Sequence, residues 1–130
     1  MILAQWAPGT LLAVMYYIIV SGHNSSFPDP IQFSPGDQLT LGKRDAEFPG
    51  WVWVTTPSGN EGWAPEALIR RESDSAGVAL EGYTARELDT VEGERVFCTR
   101  ELAGWLWVEN QAGQSGWIPG KTARAEEGKV

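Results

Sequence analysis

Short stretches in which apolar and polar residues alternate, separated by glycine-containing turns, make up most of the chain after its first twenty residues. Trp51 and Trp53 would share one face of a strand, and Val52 and Val54 the opposite face, because side chains of a strand alternate with period two. Residues 58–60, Ser-Gly-Asn, then mark a chain reversal, since glycine tolerates a positive φ. Because no stretch has a sustained helical period, the pattern predicts an all-β chain of short strands.

The strand pattern occurs twice. Residues 50–54, Gly-Trp-Val-Trp-Val, recur as Gly-Trp-Leu-Trp-Val at 104–108, and Gly-Trp-Ala-Pro at 62–65 recurs as Gly-Trp-Ile-Pro at 116–119, so both separations are 54 residues. Upstream of the tryptophans the match continues at a separation of 57 residues, which leaves the first copy with three extra residues in one loop. This agreement at many spaced positions indicates an internal duplication.

The duplication predicts two successive barrels, the first at residues 15–70 and the second at 78–125. Residues 71–77, rich in charge, Ser and Gly, are predicted to be the linker between them, and 126–130 a tail. The fold class expected from this organisation is all-β, with two small barrels in tandem.

The mostly apolar N-terminal segment has more than one interpretation. No Lys or Arg precedes Lys43, so a secretory signal would lack its positive region. Gln5 and Pro8 also interrupt a membrane span of about 20 residues. The pattern therefore favours residues 1–14 as a leader or an over-extended start before a strand at Met15, and a cytoplasmic protein. The alternative is an exported protein whose first 20 residues act as a signal.

Composition excludes several classes of function. The net charge of −7 repels phosphate backbones and anionic lipid, so nucleic acid is not expected as a partner and a membrane is unlikely to be one. One His and one Cys do not make a zinc site, and no cofactor motif or catalytic constellation is present. Cys98 aligns with the inward-facing Leu41 and is predicted to be a buried apolar residue. We therefore expect a protein with no metal or cofactor that is not an enzyme.

The order of motifs in the second copy resembles that of the SH3 domain. These motifs are Ala-Leu-Glu-Gly-Tyr at 79–83, Glu-Gly-Glu at 92–94, Gly-Trp at 104–105 and Gly-Trp-Ile-Pro at 116–119. The first copy keeps the same order. The chain is most similar to the bacterial variant SH3 type that occurs as two tandem SH3-like barrels.

This resemblance implies an aromatic groove that receives an extended, often Pro-rich peptide. The residues that match the groove or could meet a basic ligand are Trp51, Pro65, His23 and Asp29 in the first copy, and Tyr83, Trp105, Pro119, Glu87 and Asp89 in the second. Other tyrosines of the family groove are replaced here by Ser21, Leu68, Glu81 and Thr122. The second copy is the better candidate, because it alone combines Tyr83, Trp105 and Pro119.

The remaining tryptophans have separate predictions. Trp63 and Trp117 are expected to cover the barrel ends. Trp53 and Trp107 are expected to form either an accessory binding face or a contact between barrels. The predicted function is a protein- or peptide-binding adaptor or scaffold. Its ligand is expected to be a protein or an extended peptide, and a basic, Pro-containing peptide is the candidate that we name. The alternatives are a module that binds the cell wall or envelope, and a structural element with no external ligand. The oligomeric state stays open.

Overall fold

A computed structural model describes residues 15–25 and 29–126 of the chain. Its strands are β1 (Met15–Ile19), β2 (Gln32–Phe33), β3 (Gln38–Arg44), β4 (Trp51–Thr55), β5 (Glu61–Pro65), β6 (Ile69–Arg71), β7 (Ala76–Ala79), β8 (Tyr83–Thr84), β9 (Arg95–Leu102), β10 (Trp105–Glu109), β11 (Ser115–Pro119) and β12 (Ala123–Ala125). Short 3₁₀ turns lie at Glu66–Leu68 and Gly120–Thr122. The predicted leader at 1–14 and most of the predicted tail lie outside the described residues. None of the described helices is long and apolar enough to cross a membrane.

The chain divides into two compact units. The continuous unit is Ser25–Glu87, and the discontinuous unit combines the chain up to Asn24 with the chain from Leu88 onward. The continuous unit has an antiparallel sheet in the order β5-β4-β3-β7-β6 and a small β2-β8 pair. The discontinuous unit has an antiparallel sheet in the order β11-β10-β9-β1-β12. The predicted all-β class is confirmed, and the sheets are consistent with small SH3-like barrels.

The predicted strand faces and turns are present. Val52 and Val54 are fully buried, whereas Trp51 and Trp53 on the opposite face are half-buried. The β4–β5 and β10–β11 hairpins reverse through glycines with φ of 96° at Gly59 and 86° at the equivalent residue 113. These values lie in the left-handed region, which disfavours residues with a β-carbon.

Each sheet is completed by the first strand of the other repeat. β1 begins the first repeat but lies between β9 and β12, and β7 begins the second repeat but lies between β3 and β6. The two strands dock in the same way, because the Ile19 N–H donates to the Glu94 carbonyl at 2.8 Å and the Ala79 N–H donates to the Asp37 carbonyl at 3.0 Å. Each unit is therefore built from both repeats.

The division into units consequently differs from the predicted boundaries at 71–77. β6 and β7 form a hairpin within the continuous unit, with the Glu72 N–H donating to the Ala76 carbonyl at 2.8 Å. The Arg71 guanidinium also donates to the Asp74 carbonyl at 2.8 Å. Charged residues, Ser and Gly suit a tight turn as well as a linker, so composition does not separate the two. The chain instead passes between the units at residues 24–25 and 87–88.

We expect the fragment Ser25–Glu87 to fold alone, because its sheet is complete without any residue from outside it. The fragment 15–70 lacks β7 and leaves the facing edges of β3 and β6 unpaired, so it should be unfolded or aggregated. Circular dichroism and thermal melting of both fragments test this. A cooperative melt for 15–70 together with none for Ser25–Glu87 would contradict the exchange of strands.

We also expect the Cys98 thiol to be protected from labelling in the native protein. It is 2% exposed in the core of the discontinuous unit, and burial raises the pKa of this thiol. The raised pKa favours the folded state below the unfolded-state pKa, and this contribution is lost as the pH rises towards the folded-state value. Reaction with a chromogenic disulfide reagent at neutral pH should be at least about 100-fold slower than in guanidinium, which corresponds to an opening free energy of about 2.7 kcal/mol. Equal rates would place Cys98 at the surface.

Candidate functional site

One aromatic surface lies on the discontinuous unit. Trp105 is the first residue of β10, directly opposite Pro119 on β11, and both side chains are half-buried. The His23 ring lies edge-on to the Trp105 indole, with ring centroids 5.9 Å apart and an interplanar angle of 79°. His23 is held by two backbone hydrogen bonds to Thr90, of 3.1 and 2.8 Å. We call His23, Trp105 and Pro119 the Trp105 site.

The corresponding residues of the continuous unit are less accessible. Trp51 lies opposite Pro65 at the start of the β4–β5 hairpin, but Pro65 is fully buried. Tyr83 is 9% exposed, and its ring centroid lies 5.5 Å from that of Phe33. Burial raises the pKa of the Tyr83 hydroxyl, and the Glu87 carboxylate raises it further. We call Trp51, Pro65 and Tyr83, the corresponding residues of the continuous unit, the Trp51 cluster.

His23 and Tyr83 each lie in the unit that contains the tryptophan hairpin of the other repeat. Sequence order pairs His23 with Trp51 and Tyr83 with Trp105, whereas the structure places each in the other unit. The reason is that His23 follows β1 and Tyr83 follows β7, and each residue moves with its strand. The preference for the second copy grouped Tyr83 with Trp105 by sequence order, whereas the two residues belong to different units.

The acidic residues that were predicted to meet a ligand are divided between the units. Asp29 and Glu87 belong to the continuous unit, and Asp89 to the discontinuous unit. Asp29 and Asp89 are exposed and Glu87 is half-buried. Asp29 lies between β1 and β2, and Glu87 and Asp89 lie between β8 and β9. Each unit thus contains at least one of these three carboxylates.

The four other hairpin tryptophans form two matching pairs. Trp53 and Trp63 meet edge to face with centroids 5.1 Å apart, and Trp107 and Trp117 do the same at 5.3 Å. The Trp53 indole N–H also donates to the Glu61 carboxylate at 2.8 Å. Trp117 is buried and Trp63 is half-buried. Trp53 and Trp107 thus each have an aromatic neighbour in their own unit, and whether they also form an accessory binding face or a contact between barrels stays a prediction.

A charge cluster beside the Trp51 cluster was not predicted from the sequence. Glu66 follows Pro65 directly, and one of its carboxylate oxygens accepts from Arg44 at 2.8 Å and from Arg71 at 3.1 Å. Burial alone would raise the pKa of the Glu66 carboxyl, but the hydrogen bonds from Arg71 and Arg44 outweigh it and lower this pKa. The Glu66 N–H donates to the Gly50 carbonyl at 2.8 Å, which joins the cluster to the loop before Trp51.

The Trp105 site has different surroundings. Three positions of the discontinuous unit correspond to Arg44, Glu66 and Arg71, and they hold Glu101, Gly120 and Ala125. Two arginines with one carboxylate carry a net positive charge, whereas Glu101 alone carries a negative one. The two surfaces therefore differ in charge although their tryptophans and prolines match.

The residue opposite His23 is Thr90, which has no counterpart of the same chemistry in the Trp51 cluster. It is 4% exposed, and its hydroxyl has no hydrogen-bond partner among the described residues. Thr90 lies opposite His23 as Phe33 lies opposite Tyr83, so a hydroxyl replaces an aromatic ring. An unsatisfied buried hydroxyl is unfavourable by about 1–3 kcal/mol.

An open depression of about 290 Å³ lies elsewhere on the discontinuous unit. Its lining comprises Tyr16, Arg95, Phe97, Glu109, Asn110 and Gln111. The Arg95 guanidinium lies 3.6 Å over the Tyr16 ring and is held by two hydrogen bonds to Glu126, of 3.0 and 2.8 Å. Its charge is thus already matched by a carboxylate. Over residues 15–25 and 29–126, no group of three or more His, Cys, Asp or Glu could hold a metal ion.

We expect Thr90→Val to raise the free energy of unfolding by up to about 1 kcal/mol, because it removes an unsatisfied hydroxyl while keeping the side-chain shape. Thr122→Val is the matched control, since the equally buried Thr122 hydroxyl donates to the Pro119 carbonyl at 2.7 Å. That variant should lose about 1–2 kcal/mol. Denaturant titration measures both. An equal loss in the two variants would show that the Thr90 hydroxyl has a partner in solution, such as a buried water.

Comparison with known proteins gives a distant similarity. The chain is 25% identical over 126 residues to "SH3 and PX domain-containing protein 2B" of Homo sapiens, a match that covers 87% of this chain and 14% of that protein. The mouse protein of the same name matches with the same identity and coverage. The chain thus spans about one seventh of the length of these relatives. No family model and no solved structure matches. The similarity suggests an SH3-like domain and, at most, a protein-binding module.

Proposed function

We propose that the chain is a non-enzymatic module that binds extended peptide segments of other proteins through the Trp105 site. The observation that carries this proposal is the half-exposed Trp105 indole, set between Pro119 across the hairpin and the His23 ring 5.9 Å away. Rigid aromatic side chains present a large apolar area at a small cost in conformational entropy, and such residues dominate binding energies. An extended ligand that lies across rings and a proline needs few ordered side chains of its own.

We infer a basic ligand from the exposed carboxylates of the discontinuous unit. Asp89 and Glu101 are both exposed on this unit, and the whole chain has a net charge of −7. Proline in the ligand would reduce the ordering entropy, because it holds an extended conformation before binding. The proposed ligand is therefore an extended peptide that combines Pro with Lys or Arg. The Trp51 cluster is the weaker candidate, since Tyr83 and Pro65 are buried and Arg44 would repel a basic ligand.

We propose that the protein acts as an adaptor or scaffold in the cytoplasm. The only cysteine of the chain is a buried free thiol, which suits a reducing compartment. The SH3 domain in the printed name of the human relative supports the protein-binding class.

We expect Trp105→Ala to remove binding while changing the melting temperature little, because its indole is half-exposed. The probe is an array of immobilised extended peptides containing Pro and Lys or Arg, with Glu-for-Lys peptides as the ligand control. Loss of one anchoring Trp should weaken binding by about 2 kcal/mol or more, or about 30-fold. Trp51→Ala should have a smaller effect on binding.

The matched control is Trp117→Ala, which removes a Trp that is 7% exposed on the same hairpin. This variant should lose about 3 kcal/mol or more of folding stability. If Trp105→Ala loses as much stability as Trp117→Ala, then Trp105 is a packing residue. If it leaves both stability and peptide binding unchanged, the Trp105 site is not the binding surface.

A further inference from the structure

The strand that completes the continuous unit carries very small residues where it is buried. Gly77 and Ala79 face the core, and Ala79 lies directly opposite Ile69 of β6. A β-carbon added to Gly77 would lie 2.7 Å from the Ile69 Cγ2 atom and 3.0 Å from the Leu41 Cδ1 atom. The space beside this strand is therefore filled by large side chains of β6 and β3.

The discontinuous unit has the opposite distribution of sizes at the same positions. Ile19 of β1 lies opposite Ala123 of β12, as Ala79 lies opposite Ile69. Tyr17 takes the position of Gly77, since both are two residues earlier on the strand. Cys98 takes the position of Leu41 and belongs to the same core as Ile19, against which Tyr17 and Ala123 pack. In the discontinuous unit, the large side chains of β1 therefore pack against small residues of β9 and β12.

We propose that these side-chain volumes specify the exchange, so that each unit accepts only the first strand of the other repeat. The cleft between β3 and β6 is a binding surface for an extended segment of small residues. The cleft between β9 and β12 is a binding surface for a bulky, β-branched and aromatic segment. Protein interiors are close-packed, and both overfilling and voids are unfavourable.

Pairing in sequence order would violate this complementarity twice. Tyr17 would enter a cleft in which even a single β-carbon at that position is too close to Ile69 and Leu41. Gly77 would enter the other cleft against Ala123 and Cys98 and leave a cavity. The backbone hydrogen bonds alone do not distinguish the two arrangements, because Ile19 and Ala79 make equivalent ones.

The exchange also determines what the Trp105 site contains. His23 follows β1 of the first repeat, whereas Trp105 and Pro119 belong to the second, so neither repeat encodes the whole site. This consequence for binding rests on the proposed function. The proposal that side-chain volumes select the strand does not depend on the proposed binding function.

Disulfide trapping in the full-length chain tests which strands are neighbours. Ile18 lies directly opposite Arg95 in the exchanged arrangement, whereas pairing in sequence order would bring it opposite Gln38. We expect Ile18→Cys with Arg95→Cys to form a disulfide in nearly all molecules on mild oxidation, because cross-strand neighbours meet the required spacing. Ile18→Cys with Gln38→Cys should form almost none. Peptide mapping by mass spectrometry identifies the bonds, and the natural Cys98 stays in place because it is buried.

Val78→Cys with Gln38→Cys is the positive control, since these residues are opposite each other within the continuous unit. If this control forms while Ile18→Cys with Arg95→Cys does not, the exchange is overturned. Efficient bonding between positions 18 and 38 in the monomer would show pairing in sequence order and would overturn the proposal in the same way.

Paired glycine substitutions test the role of volume. Gly77→Ala should lower the melting temperature by at least about 5 °C, because the new β-carbon overlaps Ile69 and Leu41. Gly82→Ala is the control, since a β-carbon there would be no closer than 3.6 Å to any neighbour. It should leave the melting temperature unchanged or slightly higher.

A smaller side chain at position 69 should restore part of the stability that Gly77→Ala loses. Adding Ile69→Ala to Gly77→Ala removes the Cγ2 atom that the new β-carbon would overlap, so the double variant should melt above the sum of the two single effects. Strict additivity, or a Gly77→Ala variant that melts like the natural chain, would show that volume does not select the strand.

Discussion

The rest of the structure depends on the docking of a fourth strand between two others in each five-stranded sheet. Without it, β3 and β6, or β9 and β12, would each present an unpaired edge and an open core. Both strands satisfy the backbone through matching hydrogen bonds, at Ile19 in one unit and Ala79 in the other. The backbone therefore requires that some strand be present, while the side chains select which one it is.

The same selection governs the candidate binding surfaces. Because His23 follows β1 and Tyr83 follows β7, each residue lies in the unit that contains the tryptophan hairpin of the other repeat. One surface keeps a half-exposed Trp105 next to a histidine, and the other buries its tyrosine against Phe33. The two surfaces therefore differ, because Trp105 and Pro119 are both half-exposed, whereas Pro65 is buried and is followed by the Glu66 carboxylate with its two arginines.

The tryptophan pairs show how the outer face of each hairpin is stabilised without a ligand. Trp53 with Trp63, and Trp107 with Trp117, contact edge to face across neighbouring strands. Such cross-strand aromatic pairs fix the register of the hairpin, because a slip of one residue would move every ring to the other face. A rigid hairpin holds Trp51 and Trp105, two residue pairs further along, at a defined position. The rings of Trp53 and Trp107 therefore stabilise the hairpins that carry Trp51 and Trp105.

The sequence by itself determined the local features of this protein. Alternation at Val52 and Val54 and the turn at Gly59 predicted strands, hairpins and an all-β class, because each is encoded within a few neighbouring residues. The duplication was also visible, because it repeats the same residues at a separation of 54. The sequence did not determine the unit in which His23 and Tyr83 lie, since this depends on contacts between residues far apart in the chain. A duplicated chain offers each first strand two clefts with nearly the same backbone pattern. Only the packed structure, in which Gly77 fits beside Ile69 and Tyr17 does not, decided between them.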